Sequence, residues 1–163
     1  MALQSAALIQ GTAVRCGPGI RLVSWPETPS VRAAAISRCF DGDGIAVHRT
    51  AAWIWGATRD PGQILEFTIV RGRVHDRPRD DGVRMHQYQI REAQVSRVGG
   101  LAVTTPLRTV YDLLRATEFG RTERLACRTI LVRLPTGRED LREFLSGTPR
   151  PYNRRVLQRL EAL

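Results

Sequence analysis

The chain contains no lysine; all 25 basic residues among its 163 are arginine. That absence excludes Schiff-base chemistry, a phosphate-loop lysine and the lysine of restriction-type nuclease cores. Neither a GxSxG nucleophile elbow nor a GxxxxGK loop occurs. Cysteine is scarce: Cys16, Cys39 and Cys127 are odd in number, scattered and without metal spacing. They suit a reducing cytoplasm and small buried positions. No apolar run approaches a membrane span, and residues 1–10 lack the charged start of a signal peptide, so no membrane association is expected. His48, His75 and His86 lie far apart in sequence with no HxxxH or CxxC partner, which argues against a metal site. His75-Asp76 reads as part of a solvated segment. Asp41 and Asp43 resemble the start of a calcium loop, but Ile45 and Ala52 fall where that loop needs a ligand and its glutamate, so a solvated turn is expected. No cofactor, metal or catalytic residue is expected, and the chain reads as a non-enzyme.

What is present is a 42% hydrophobic composition, enough for one sizeable core, and a formal charge of +9. Residues 1–70 carry six arginines against five acids, 71–98 seven against four, and 99–163 twelve against seven. The excess fits a polyanion or an acidic protein as partner. Arg71, Arg73, Arg77 and Arg79 lie in a proline-broken polar segment, weighed against a solvated loop partly neutralised by Asp76, Asp80 and Asp81.

Local patterns predict an α+β fold. Ala2–Gln10 reads as a short helix, and Ala13–Cys16 with Ile20–Trp25 as a hairpin about Gly17-Pro18-Gly19. The hairpin is either a surface element or the wing of a winged helix, with Arg15 and Arg21 beside a phosphate backbone. Thr28 and Pro29 open a helix to about Phe40. Ile45–Gly56 reads as a short helix ended by Gly56, with Trp53 and Trp55 on different sides; core packing outweighs base stacking for both. Ile64–Val70 and Val83–Ile90 read as strands, and Val95–Val98 with Leu101–Thr104 as a hairpin. Three helices follow: one capped by Thr122 with Leu125, Ile130, Leu131 and Leu134 inward, one opened by a Thr136/Glu139 capping box, and a last one lined by Tyr152, Val156, Leu160 and Leu163.

The most informative stretch is Gly99–Leu114. Leu101 and Val103 alternate as on a strand, Thr105 offers a capping hydroxyl, and Pro106 sits where a missing N–H costs nothing. Leu107, Val110, Tyr111 and Leu114 then form a core-facing stripe. Arg108, Thr109, Asp112 and Arg115 lie off it, as a polar helix face left for another purpose.

The order VHRTAAWIWG, ILEFTIV, VRMHQYQI and VGGLAVTTPLRTVYDLL resembles actinobacterial AbiEi-like antitoxins of type IV toxin–antitoxin systems. The likeness runs from about Arg15 to the C-terminus and is most specific at Thr104–Leu113. It implies a winged helix that binds promoter DNA and represses transcription, followed by an α+β antitoxin domain that opposes a nucleotidyltransferase-type toxin in the cytoplasm. On that pattern residues 1–26 are a winged-helix remnant, one helix and a wing-like hairpin, and residues 27–163 a mixed domain with an antiparallel sheet and C-terminal helices. The chain ends at Leu163, before the nuclease domain that some relatives carry. A protein-interaction module without DNA binding, or an accessory domain of a nuclease system, are the competing expectations.

Overall fold

A computed structural model describes residues 2–37, 44–69, 82–147 and 151–163, and it is α+β. Helix α1 (Ala2–Ile9) leads into an antiparallel hairpin of β1 (Ala13–Cys16) and β2 (Gly19–Leu22), turning at Gly17-Pro18. Gly17 is required twice over: its φ is +56°, and a Cβ there would meet the Trp53 ring at 2.7 Å. Helix α2 (Pro29–Ser37) follows, with the Thr28 hydroxyl accepting from the Val31 N–H at 3.3 Å as its cap. Residues 38–43, including Cys39, Phe40, Asp41 and Asp43, lie outside the described residues.

Strand β3 (Gly44–Ala46) and helix α3 (His48–Ile54) come next. The sequence pattern predicts helix from Ile45, but Ile45 and Ala46 form a central strand instead. Short apolar runs do not distinguish the two periods; here β3 pairs antiparallel with β4 (Leu65–Ile69) and parallel with β7 (Leu101–Thr104), which settles it. Strand β5 (Val83–His86) runs parallel to β4, and β6 (Val95–Val98) pairs antiparallel with β7, giving a mixed sheet in the order β5-β4-β3-β7-β6. One sheet face carries Phe67, Val103, Leu65 and Met85 into an apolar cluster with Trp53 and Ile36. Cys16 of the hairpin is buried in the same cluster.

Helix α4 (Pro106–Arg115) begins as its residues dictate: the Thr105 hydroxyl accepts from the Arg108 N–H at 3.3 Å, with Pro106 in the first turn. Its apolar stripe, Val110, Tyr111 and Leu114, packs among α5 (Arg121–Val132), α6 (Gly137–Ser146) and α7 (Asn153–Glu161). Each such large side chain contributes on the order of 1.5–3 kcal/mol by leaving water. The helix is buried on its other side as well. Arg108, Thr109 and Asp112 are 2%, 0% and 0% exposed, so the polar face is interior rather than free.

Three helix details differ from the sequence pattern. Helix α5 starts after Gly120, whose N–H donates to the Glu123 carboxylate at 2.9 Å, rather than at a Thr122 cap. Leu125 points outward, and Ala126 and Cys127 take the interior with Ile130 and Leu131. The Thr136/Glu139 box does not form: Thr136 lies at φ −119°, ψ 21°, outside the extended cap conformation, and its hydroxyl donates to Asp140 at 2.9 Å.

Candidate functional site

On the sheet face opposite the Trp53 cluster lies a cleft of about 800 Å³ in which His48, Glu66, His86, Tyr88 and Arg115 converge. Their positions follow from the strands. The Glu66 carbonyl accepts from the Val47 N–H at 3.0 Å, which joins β4 to the start of α3 and brings His48 beside the sheet. Glu66 and Thr68 share a face of β4 by the two-residue period, opposite to Leu65 and Phe67. Thr68 is in register with His86 and continues the ladder where β5 ends: its hydroxyl donates to the His86 carbonyl at 2.8 Å and accepts from the Tyr88 N–H at 3.2 Å. Tyr88 is thereby folded back over the histidines.

The polar groups form one chain. Glu66 Oε1 lies 3.1 Å from His86 Nε2, the Tyr88 hydroxyl 3.0 Å from His86 Nδ1, and His48 Nε2 2.8 Å from the same hydroxyl. Burial by itself raises the Glu66 pKa, but hydrogen bonding from His86, the charges of His48 and His86, and the Arg49 N–H hold it below the usual carboxylate range. With Glu66 anionic, His86 donates through Nε2, its Nδ1 accepts from Tyr88, and the Tyr88 oxygen accepts from His48. Desolvation lowers the His48 pKa and keeps it neutral, despite the opposing charges of Asp112 and Glu66. Burial raises the Tyr88 pKa, so its proton stays. His48 also sits at φ +48°, the one non-glycine residue with positive φ among the described residues. Such a conformation costs of order 1 kcal/mol and persists only where the surroundings impose it.

Behind Tyr88 stands the Thr105–Asp112 motif. Arg115 stacks on the Tyr88 ring with its guanidinium carbon 3.9 Å from the ring centre. Its Nε lies 3.0 Å from Asp112 Oδ1, an ion pair whose N–H is not aligned for a hydrogen bond. The other Asp112 oxygen accepts from Arg108 Nε at 3.0 Å, and Arg108 also donates to the Gln94 side chain at 2.7 Å and the Gln89 carbonyl at 3.2 Å. Thr109 bridges to Thr104 at 2.8 Å. The motif that reads as a free polar face is therefore a buried scaffold that positions Tyr88 through Arg115.

The residues with expected nucleic-acid roles fall in different places. Arg15 is exposed and, with Arg59, lines a groove of about 620 Å³ between the hairpin turn and the Asp60–Gln63 loop. Gly82, which follows the arginine-rich segment directly, lines that groove too. Arg71, Arg73, Arg77 and Arg79, with His75, lie outside the described residues. Arg21 is not available as expected: its guanidinium donates to the carbonyls of Leu22 and Trp25 at 3.1 and 2.6 Å and lies 3.7 Å from Glu27. Trp53 is fully buried and offers no face for a base, while Trp55 is half-buried against the same cluster and donates from Nε1 to the Thr104 carbonyl at 2.8 Å. Gly56, at φ +74°, ends α3.

The convergence of His48 and His86 overturns the inference from their sequence separation. Separation of 38 positions says nothing about distance once β4 lies between them, and the ring centres are 4.9 Å apart. One signal was present in the sequence: Glu66, His86 and Tyr88 all occupy alternating positions on the wetter faces of their segments. No family model matches the chain, and neither a curated protein nor a solved structure matches it significantly.

Proposed function

We propose that the chain is an antitoxin-like regulator that binds DNA along the groove beside its N-terminal hairpin. The observation that carries this reading is a pair of exposed arginines lining one groove. Exposed Arg15 on the hairpin and exposed Arg59 on the facing loop line the groove, and Gly82, next in sequence after the arginine-rich stretch, lines it too. Asp60, the acid in the groove wall, is already paired with Arg49 at 2.6 Å. The arrangement suits phosphate contacts, which place a protein on a duplex without reading its sequence. Helix α1 carries no charged residue, so base readout is not assigned to it.

The test is an electrophoretic shift of the chain on its own upstream region, at low and physiological salt with competitor DNA. Specific binding that survives both is expected, and Arg15→Ala with Arg59→Ala each flatten the logarithmic salt dependence by roughly one unit. Binding erased by competitor, with no effect of either substitution, would overturn the reading. A second reading, a module that binds a nucleotidyltransferase-type toxin or another protein, is favoured by the exposed apolar side chains Val14, Leu22, Val23 and Trp25 on and after the hairpin. Rescue of growth on co-expression with such a toxin, retained in the Arg15→Ala variant, would support that second reading over the first.

A further inference from the structure

We propose that His48, Glu66 and His86 form a binding site for a divalent transition-metal ion of the zinc class. Each offers one ligand atom, and these atoms all lie within 4.8 Å of one another. Two imidazoles and a carboxylate are a donor set that zinc and its neighbours favour over calcium or magnesium. Bonds of ~2.1 Å require ligand atoms roughly 3.3 Å apart in a tetrahedral site, so binding asks for a contraction of order 1 Å. Glu66 Oε1 and His86 Nε2, at 3.1 Å, already stand at that spacing.

Two features point to a prepared site rather than a chance cluster. The ligands are held from outside: Glu66 Oε2 accepts from the Arg49 N–H at 3.3 Å, and the Glu66 N–H donates to the Thr50 hydroxyl at 2.9 Å. Such partners fix ligand orientation and basicity. His48 is held at φ +48° while buried, which aims its ring at the cleft. The metal would take the place of the proton network that now runs through the Tyr88 hydroxyl. With three protein ligands on one side and the cleft on the other, at least one coordination position faces solvent, the pattern of an exchangeable rather than a closed structural site.

The experiment titrates the chelator-stripped full chain with Co2+ and then displaces it with Zn2+. One equivalent of Co2+ is expected to give visible ligand-field bands without a near-ultraviolet thiolate band, since the donor set holds no cysteine and Cys16 and Cys127 are buried in the two apolar clusters. His86→Gln and Glu66→Gln, both at partly exposed positions, are each expected to weaken binding roughly a hundredfold or more, whereas Tyr88→Phe keeps all three ligands and stays within a few-fold of the wild type. In the wild-type chain, one equivalent of Zn2+ should shift the imidazole nitrogen resonances of two of the three histidines, a readout that does not depend on any variant folding. Absence of stoichiometric binding, a thiolate band, unchanged affinity in His86→Gln and Glu66→Gln, loss of binding in Tyr88→Phe, or a shift of fewer or more than two histidines would each overturn the site.

Discussion

Helix α4 serves two regions that could hardly differ more. Toward α5, α6 and α7 it presents Val110, Tyr111 and Leu114 to an apolar bundle. Toward the sheet it presents Arg108, Asp112 and Arg115 to a polar wall behind Tyr88. The bundle is stabilised by area removed from water, which tolerates local repacking. The wall depends on every charge keeping its partner, because a single deletion strands another charge in a medium that cannot solvate it. Stability in the bundle is spread over many side chains, and in the wall it is concentrated in a few.

The sharpest way to break that contrast is Asp112→Ala. It removes the one carboxylate facing both Arg108 and Arg115, and Arg108 has no route to solvent at 2% exposure. The expected loss is roughly 3–5 kcal/mol in denaturant unfolding. A loss under about 1 kcal/mol would mean that water reaches the arginines and that the wall is not sealed. Leu114→Ala probes the bundle from the same helix. Its expected cost is about 3 kcal/mol, the middle of the range for a buried leucine whose cavity partly collapses. The two variants separate further at the cleft. Asp112→Ala frees Arg115 from its ion pair and disturbs Tyr88, visible in tyrosine fluorescence or ring resonances, while Leu114→Ala leaves Tyr88 unchanged at equal loss of stability.

The same contrast explains what can be read in the chain before it folds. Helix α4, its Thr105 cap, the β6–β7 hairpin and the N-terminal hairpin are legible because their signals are local: a period, a proline, a pair of glycines. The bundle core follows from spacing in α4 and α7, with Val156 and Leu160 buried as their periodicity implies. Leu125 fails because two registers compete on α5 and tertiary packing selects the one with Ala126 and Cys127. The cleft is legible only in pieces. His48, Glu66, the His86/Tyr88 pair and Arg115 come from four separate segments, and the parallel β4–β5 pairing that joins two of these segments leaves no local mark.

Arginine content misleads in a related way. Arg32 and Arg133 donate to the carbonyls of Trp53 and Trp55 at the end of α3, and Arg159 donates to those of Leu114 and Ala116 at the end of α4. These side chains cap carbonyls at helix ends, where backbone partners run short; of the four, the Trp53 carbonyl also accepts from the Gly56 N–H at 2.8 Å. Together with Arg21 and Arg108 they are framework, so the formal charge of +9 overstates what is presented to a partner.

The smallest effect should come from acid, and it belongs to the cleft alone. Burial lowers the folded-state pKa of His48, opposed in part by Asp112 and Glu66 and assisted by His86 and Arg115. A folded pKa below the unfolded value means that the unfolded chain binds more protons in that window. Stability from this group is therefore complete above about pH 6.5 and falls as pH drops toward the depressed value, by at most about 1.4 kcal/mol per pH unit. Glu66, also depressed, adds a separate loss that begins as pH falls into the ordinary carboxylate range and continues toward its lowered folded value. Thermal melts between pH 7.5 and 5 should show a shallow decline that His48→Gln flattens, while the steeper loss at lower pH remains. A decline that survives in His48→Gln would place the titration at another group and leave His48 able to accept its proton in the fold. A bundle variant such as Leu114→Ala should lower every point of the curve by a similar amount without changing its slope, because no histidine or carboxylate belongs to the apolar core among α5, α6 and α7 in the described residues, and Cys127, the thiol in that core, is pushed up to about 12 by burial and the Glu123 charge.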